Sequence, residues 1–195
     1  MRRNSGFTLV ELLIALAVTG VLLSVATPGF QSFMQGARQV TSYNKVASVL
    51  RFARSEAIKR SVAVSVCPRA SNTTCGTDWS EGMLVYDDAM ANGTPGVLDG
   101  TDSVVRVIKM NSAGVTVSAS AIIRPQTSSS VQNSIRFNGR GQSNWANGTW
   151  LLCDGRGDKE ARALIIGGAG ISRRAHDTPT SNSIVVDASG VAVSC

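Results

Sequence analysis

The chain opens with apolar residues that follow one another without a polar period, and only later settles into regular alternation. From Phe7 to Ala37 the only charged side chain is Glu11, and the next charge is Arg38. The run from Phe7 to Ala26 is long enough to cross a bilayer as a helix. Beyond Pro28 the apolar residues Phe30, Phe33, Ala37, Val40, Ala47, Leu50, Ala53 and Ala57 recur mostly at three- and four-residue spacing. That spacing predicts an amphipathic helix continuing to Arg60, with Pro28 expected to kink it. Arg38, Lys45, Arg51, Arg54, Lys59 and Arg60 lie largely off the apolar face and read as a solvated surface rather than a nucleic-acid stripe.

After Arg60 the period drops to two. Val62, Val64 and Val66 alternate with small residues, as in a half-buried strand. Further strands are expected at Met83–Tyr86, Val104–Lys109, Gly114–Val117, Ser134–Phe137, Thr149–Cys153, Ala163–Ile166, and Ser183–Val186 leading into Val191–Val193. Asn92-Gly93, Asn138-Gly139, Asn147-Gly148 and Ser189-Gly190 punctuate them as turns. A long helix followed by strands predicts an α+β fold in which an antiparallel sheet packs on the helix. No internal repeat is visible.

Composition adds modest constraints. The 195 residues hold one ordinary domain plus an accessory segment. The formal net charge is +6, and removing the first six residues takes Arg2 and Arg3 with them, leaving 17 − 13 = +4. Such a mild basic bias is compatible with polyanion contact without requiring it. The four cysteines allow three pairings. Cys67–Cys75 with Cys153–Cys195 is favoured, since the first closes a short polar loop and the second would pin the C-terminus. A zinc site is a poor rival, because there is no Cys-x-x-Cys spacing and the only histidine is His176. No metal, cofactor or catalytic constellation is implied.

Glu11 is the residue that needs explaining. A plain anchor or a secretory signal peptide, for which Ser24-Val25-Ala26 would serve as a cleavage site, has no use for a carboxylate inside the span. Placing one there costs about 2.5–3.5 kcal/mol on insertion scales, which marks it as functional. Arg2 and Arg3 before the span predict a cytoplasmic N-terminus with the rest facing outward.

Gly6-Phe7-Thr8-Leu9-Val10-Glu11 resembles the processing site of type IV prepilins. Arg54-Ser55-Glu56-Ala57-Ile58, Trp79-Ser80-Glu81-Gly82-Met83, Ser134-Ile135-Arg136-Phe137-Asn138 with Gly141, and Trp150-Leu151-Leu152-Cys153 are similar to the GspH, FimT and FimU group of minor pilins and H-type pseudopilins. The closing Cys195 resembles the FimU type. The resemblance implies a type IV pilin fold and cleavage by a prepilin peptidase after Gly6, with N-methylation of Phe7. It also implies that Glu11 pairs with the Phe7 amine of a neighbouring subunit. On this plan residues 1–6 are a leader, 7–27 the membrane-spanning half of the helix, 28–60 its amphipathic half, and 61–195 a β-rich head.

The implied partners are other minor and major pilins or pseudopilins, the peptidase, an inner-membrane assembly platform and inner-membrane lipid, with the head in the periplasm until it joins a filament. Three roles follow: a minor pilin that primes or joins a type IV pilus, an H-type pseudopilin of a type II secretion system, or a DNA-binding pilin for uptake. The third leans on a Gly-Arg-x-Arg motif of FimT-like members. Its counterpart here is Gly170-Ile171-Ser172-Arg173 followed by Arg174, in which Ile171 replaces one arginine and removes a phosphate contact. Arg173 and Arg174, beside Arg156 and Arg162, are the candidate DNA contacts, in an expected flexible loop. Gly167-Gly168-Ala169-Gly170 reads as a turn rather than a phosphate cradle. Arg156-Gly157-Asp158 reads as turn chemistry, and His176-Asp177 lacks a nucleophile to complete a triad.

Overall fold

The computed structural model describes residues 6–88, 94–110, 114–123, 134–143 and 146–175, with Ala192 and Cys195. The chain divides into two compact units, Met1–Ala37 and Arg38–Cys195. One helix, α1 (Leu9–Arg60), contributes to both.

Helix α1 starts where it does because Thr8 caps it. The Glu11 amide donates to Thr8 Oγ1 at 3.2 Å, and the Leu12 amide donates to the Thr8 carbonyl at 3.3 Å. Thr8 and Glu11 are the Thr-x-x-Glu of a capping box, and Glu11 adds a negative charge to the first turn, where the helix dipole favours it. In the first unit the apolar side chains stand out on every side, with Leu9 75%, Leu13 56%, Val18 53% and Val25 74% exposed. The most apolar 18-residue window of the helix has a mean hydropathy of 2.5 and is wholly unburied. Thr19 Oγ1 and Ser24 Oγ donate back to the carbonyls of Ala15 and Val21, so their hydroxyls are satisfied within the helix. Pro28 falls within α1, and its side chain lies outside the described residues.

The second unit packs two antiparallel sheets with the remaining turns of α1. Strands β1 (Val64–Pro68), β2 (Gly82–Asp87), β3 (Ser103–Lys109) and β5 (Ile135–Phe137) form one sheet, in the order β3-β2-β1-β5. Strands β4 (Val115–Ile123), β6 (Ala146–Asp154), β7 (Arg162–Ile166) and β8 (Ser172–Arg174) form the other, in the order β4-β6-β7-β8. The expected single sheet is therefore two. Strand β4 joins β6, whereas β5 returns to pair with β1. The alternation at Val62 begins two residues early, since Val62 is half-exposed and β1 starts at Val64. Expected strands at Ser183–Val186 and most of Val191–Val193 lie outside the described residues.

One core joins the helix to both sheets. Val46, Ala47, Val49, Leu50, Ala53 and Ala57 of α1 pack with Val64, Val66, Met83, Val85, Ile135 and Phe137 of the first sheet. The same core takes Val115, Val117, Trp150, Leu152, Leu164 and Ile166 from the second. The small Ala47, Ala53 and Ala57 leave room for close approach on the helix side. Trp79, in the turn before β2, meets Trp150 of β6 edge-on at 5.5 Å between ring centroids, tying one sheet to the other. Strand β1 is buried along its whole length because both of its faces are covered. Cys67, with Leu84 and Tyr86 of β2, packs with Cys75, Leu98 and Val104 on the face away from the helix.

That far face also holds an ion pair. Asp88 Oδ2 accepts from Arg136 Nε at 2.7 Å, Ser65 Oγ at 2.7 Å and the Gly96 amide at 2.8 Å, all in a buried setting. Three donors gathered on a single carboxylate oxygen offset part of the cost of burying the charge. Beside it, burial followed by the Asp88 charge pushes the Tyr86 phenol far above its ordinary pKa, so it stays neutral.

Candidate functional site

Two places carry the chemistry singled out in the sequence. At the N-terminus, Gly6 and Phe7 precede the capped turn in non-helical backbone, and Phe7 is 80% exposed. Among the described residues a Cβ placed on Gly6 would meet nothing within 4 Å, and Gly6 and Phe7 are both exposed. Glu11 lies one turn beyond, on an exposed stretch of α1, and among the described residues it has no ion-pair partner.

In the head, Cys67 is bonded to Cys75 and Cys153 to Cys195, each with a Cα–Cα distance of 5.7 Å. The Cys195 amide also donates to Asp158 Oδ1 at 2.6 Å. The last residue is thus tied to β6 and to the short 3₁₀ turn Asp158–Glu160. Arg156 Nη2 contacts Asp154 Oδ2 at 2.6 Å, and its Nη1 reaches Glu160 at 3.2 Å. Burial alone would raise the Asp154 carboxyl, but the hydrogen bonds and charge of Arg156 overcome it and hold the group below its ordinary value. The Arg156-Gly157-Asp158 tripeptide is thereby committed to internal contacts.

Gln39 was not anticipated as a functional position. It is almost fully buried on α1 and works in four directions. Its Nε2 donates to the carbonyls of Leu152 and Glu160 at 3.1 and 2.7 Å, and its Oε1 accepts from Arg156 Nη2 and Arg162 Nε, each at 3.2 Å. The one polar residue between Ala37 and Val40 that carries no charge was its only sequence signal.

The arginines expected to meet in a loop are arranged differently. Ser172–Arg174 is strand β8, with Arg173 opposite Ile165 and Arg174 opposite Leu164. Directly paired residues share a face and successive residues alternate. Arg174 therefore lies on the helix side with Leu164, and Arg173 on the far side with Ile165. The structure does not bring the two onto one surface. Arg162, two residues before Leu164, shares the helix side with Arg174.

Tyr43 lies one turn beyond Gln39 and packs partly buried against the core. Burial raises its phenol, while Arg174, Arg162 and Arg51, in that order, pull it back down. Arg51 is exposed on α1, with Nε donating to the Ala47 carbonyl at 3.1 Å. Sequence inspection missed this grouping because its members come from three distant segments.

The glycine-rich stretch is a turn: the Gly170 amide donates to the Gly167 carbonyl at 2.8 Å. Gly170 has a φ of 72°, and a Cβ there would lie 2.0 Å from the Gly141 carbonyl oxygen. Arg54 secures the same place, its Nε donating to Gly141 O at 2.8 Å and its Nη2 to Ala169 O at 3.5 Å. His176 and Asp177 lie outside the described residues.

The family model described as "Type II transport protein GspH" matches residues 42–170, and the "Prokaryotic N-terminal methylation motif" matches residues 1–27. Two fimbrial proteins of Pseudomonas aeruginosa are each 28% identical over 108 residues, spanning 55% of this chain and 68% of theirs. The crystal structure of the type IV minor pilin FimU of Pseudomonas aeruginosa aligns with a TM-score of 0.50 at 19% identity. It covers 73% of this chain and 91% of that one, a likeness of fold.

Proposed function

The chain belongs to the GspH family and carries a prokaryotic N-terminal methylation motif, and from that premise we propose that it is a minor type IV pilin, a structural subunit that primes or joins pilus assembly. The observation that carries this reading is Glu11, a carboxylate in an apolar span one turn beyond an accessible Gly6–Phe7 junction. A prepilin peptidase removes residues 1–6 and methylates the Phe7 amine. The amine of one subunit then neutralises Glu11 of the next within the filament. A buried carboxylate requires such a cation, and a wrongly registered neighbour leaves it unpaired at a cost of several kcal/mol. The apolar first unit holds the chain in the inner membrane before assembly and lies in the filament core afterwards. The head, residues 61–195, faces the periplasm and meets other pilins.

Deletion of the gene tests the reading: surface pili sheared from the deletion strain should disappear and return on complementation. Glu11→Ala should leave the protein in the membrane and drop its incorporation about ten-fold or more. Normal incorporation of Glu11→Ala would sink the assembly chemistry.

The second reading, an H-type pseudopilin serving type II secretion, is favoured by the match over residues 42–170 to a family described by its part in that transport. It predicts unchanged piliation in the same deletion strain, with exoproteins retained in the periplasm.

A further inference from the structure

We propose that the Cys153–Cys195 disulfide is a site of thiol–disulfide exchange in the folded protein, taking the dithiol of a protein oxidoreductase at Cys195 and loosening the turn Asp158–Glu160 as it opens. Cys67–Cys75 stays closed to the same reagent. The chemistry belongs to the head alone, so it holds whichever filament the chain joins.

Three observations carry it. The first is access. Cys195 is exposed and Cys153 half-buried, and both line an open cavity of about 730 Å³ together with Ser80, Thr116 and Ser118. Cys67, by contrast, is 1% exposed, and Cys75 packs into the same apolar cluster as Leu84, Tyr86, Leu98 and Val104. An attacking thiolate must reach one sulfur of the bond, so exchange goes first where a sulfur faces solvent.

The second is the leaving group. Attack at Cys195 expels Cys153 as a thiolate, and Cys153 lies opposite Thr116 in the β4–β6 ladder. Directly opposed side chains share a face, with Cβ atoms about 4.5–5.5 Å apart, which sets a hydroxyl beside the sulfur that takes the charge. Attack at Cys75 would instead expel Cys67 into apolar surroundings. Burial there raises a thiol's pKa and makes it a slower leaving group.

The third is what the bond holds. Neither Cys153 nor Cys195 belongs to the core that joins α1 to the two sheets, so the bond can open while that core stays packed. Besides its sulfur, Cys195 is tied by its amide to Asp158 Oδ1 at 2.6 Å. Asp158 begins the short turn whose Glu160 carbonyl accepts from Gln39 of α1 at 2.7 Å. Reduction therefore frees a contact of that turn and leaves both sheets in place.

The exchange balances. One partner thiolate bonds to Cys195 Sγ, the bond to Cys153 breaks, and its electron pair leaves on Cys153, which takes a proton from water. The partner's second thiol then attacks its own sulfur in the mixed disulfide and releases Cys195 as a thiol. The chain gains two electrons and two protons, and the partner becomes a disulfide.

The test treats the full, folded chain in detergent with dithiothreitol, stops samples with acid, and reads each cysteine by alkylation and peptide mass spectrometry. Cys153 and Cys195 should label at least about five-fold faster than Cys67 and Cys75 while the circular dichroism spectrum holds. In concentrated urea, where burial no longer separates the pairs, the ratio should fall to about one. A thioredoxin-type oxidoreductase whose resolving cysteine is replaced by serine should be captured as a mixed disulfide at Cys195. Amide exchange at residues 154–160 should rise on reduction and stay unchanged along β1 and β2. The rates are read on the parent chain, so no variant has to fold. A smaller ratio in the folded chain, a ratio that persists in urea, or loss of the spectrum in step with Cys153 labelling overturns the proposal. So does capture at Cys75, no capture at all, or unaltered exchange at residues 154–160.

Discussion

The two halves of α1 draw on the same kinds of apolar residue and use them in opposite ways. Leu9, Leu13, Ile14 and Leu16 in the first half leave more than half their surface uncovered, whereas Val46, Val49, Leu50 and Ala53 in the second leave almost none. The second half has an apolar stripe with charged residues beside it, and the stripe is matched by two sheets of the same chain. The first half is apolar on all sides, and no single sheet could cover such a surface. A helix of that kind is satisfied only by a surrounding apolar medium, whether lipid or other helices. Periodicity thus separates the part that folds on itself from the part that must be completed from outside.

The sharpest way to break that distinction is to truncate one large side chain in each half. Trp150→Ala, which empties the centre of the core covered by the second half, should cost about 3–5 kcal/mol of head stability. Leu13→Ala in the first half should change head stability by less than about 0.5 kcal/mol. Urea unfolding of the full chain in detergent, followed by tryptophan fluorescence, reads both. Equal losses would mean that the first half supports the head directly.

The disulfides come next. Replacing Cys153 and Cys195 together by serine opens a link of sequence separation 42 and should cost about 4 kcal/mol on loop entropy, against about 2.5 kcal/mol for Cys67 and Cys75 at separation 8. The same unfolding assay gives the ranking, and a reversed order would show that loop length does not govern these staples.

Acid unfolding tests the polar contacts of the head. Asp154 lies below its ordinary value when folded, so its contribution is present above the unfolded carboxylate value and is lost as pH falls through the folded one. Arg156→Ala removes the hydrogen bonds and charge responsible, and should move the onset of acid unfolding to higher pH by circular dichroism. The smallest expected effect is at the helix start. Thr8→Ala should cost about 1 kcal/mol in the first turn, seen as faster amide exchange at residues 9–12, with no change in the head.

The sequence could be read as far as its local periods reach. The end of α1 at Arg60 and the strands around Met83–Tyr86 and Ala163–Ile166 follow from spacing and β-branched content. Strand β8 escaped notice because Ser-Arg-Arg has neither apolar alternation nor length, and is held in place by pairing with β7. Strand β4 runs beyond Val117 through Ser-Ala-Ser-Ala, residues of weak strand preference recruited by the full length of β6. The division into two sheets lies in which distant strands pair, and no local pattern encodes that. Glu11 was legible because a charge in an apolar run stands out by itself. The Gln39 network was not, since its partners belong to β6, the turns after it and β7, and only tertiary packing brings them to α1.

The interleaving of the two sheets has a consequence for the order of events during synthesis. The ribosome releases β1, β2 and β3 first, yet their sheet waits for β5, which emerges only after β4 of the other sheet. The helix stripe in turn stays partly bare until β6 and β7 supply Trp150, Leu152, Leu164 and Ile166. Neither sheet is completed by a contiguous piece of chain, so the last strands of the head are added through contacts of long sequence separation. The apolar first unit is thus complete in the nascent chain well before the strands that finish the head have been made.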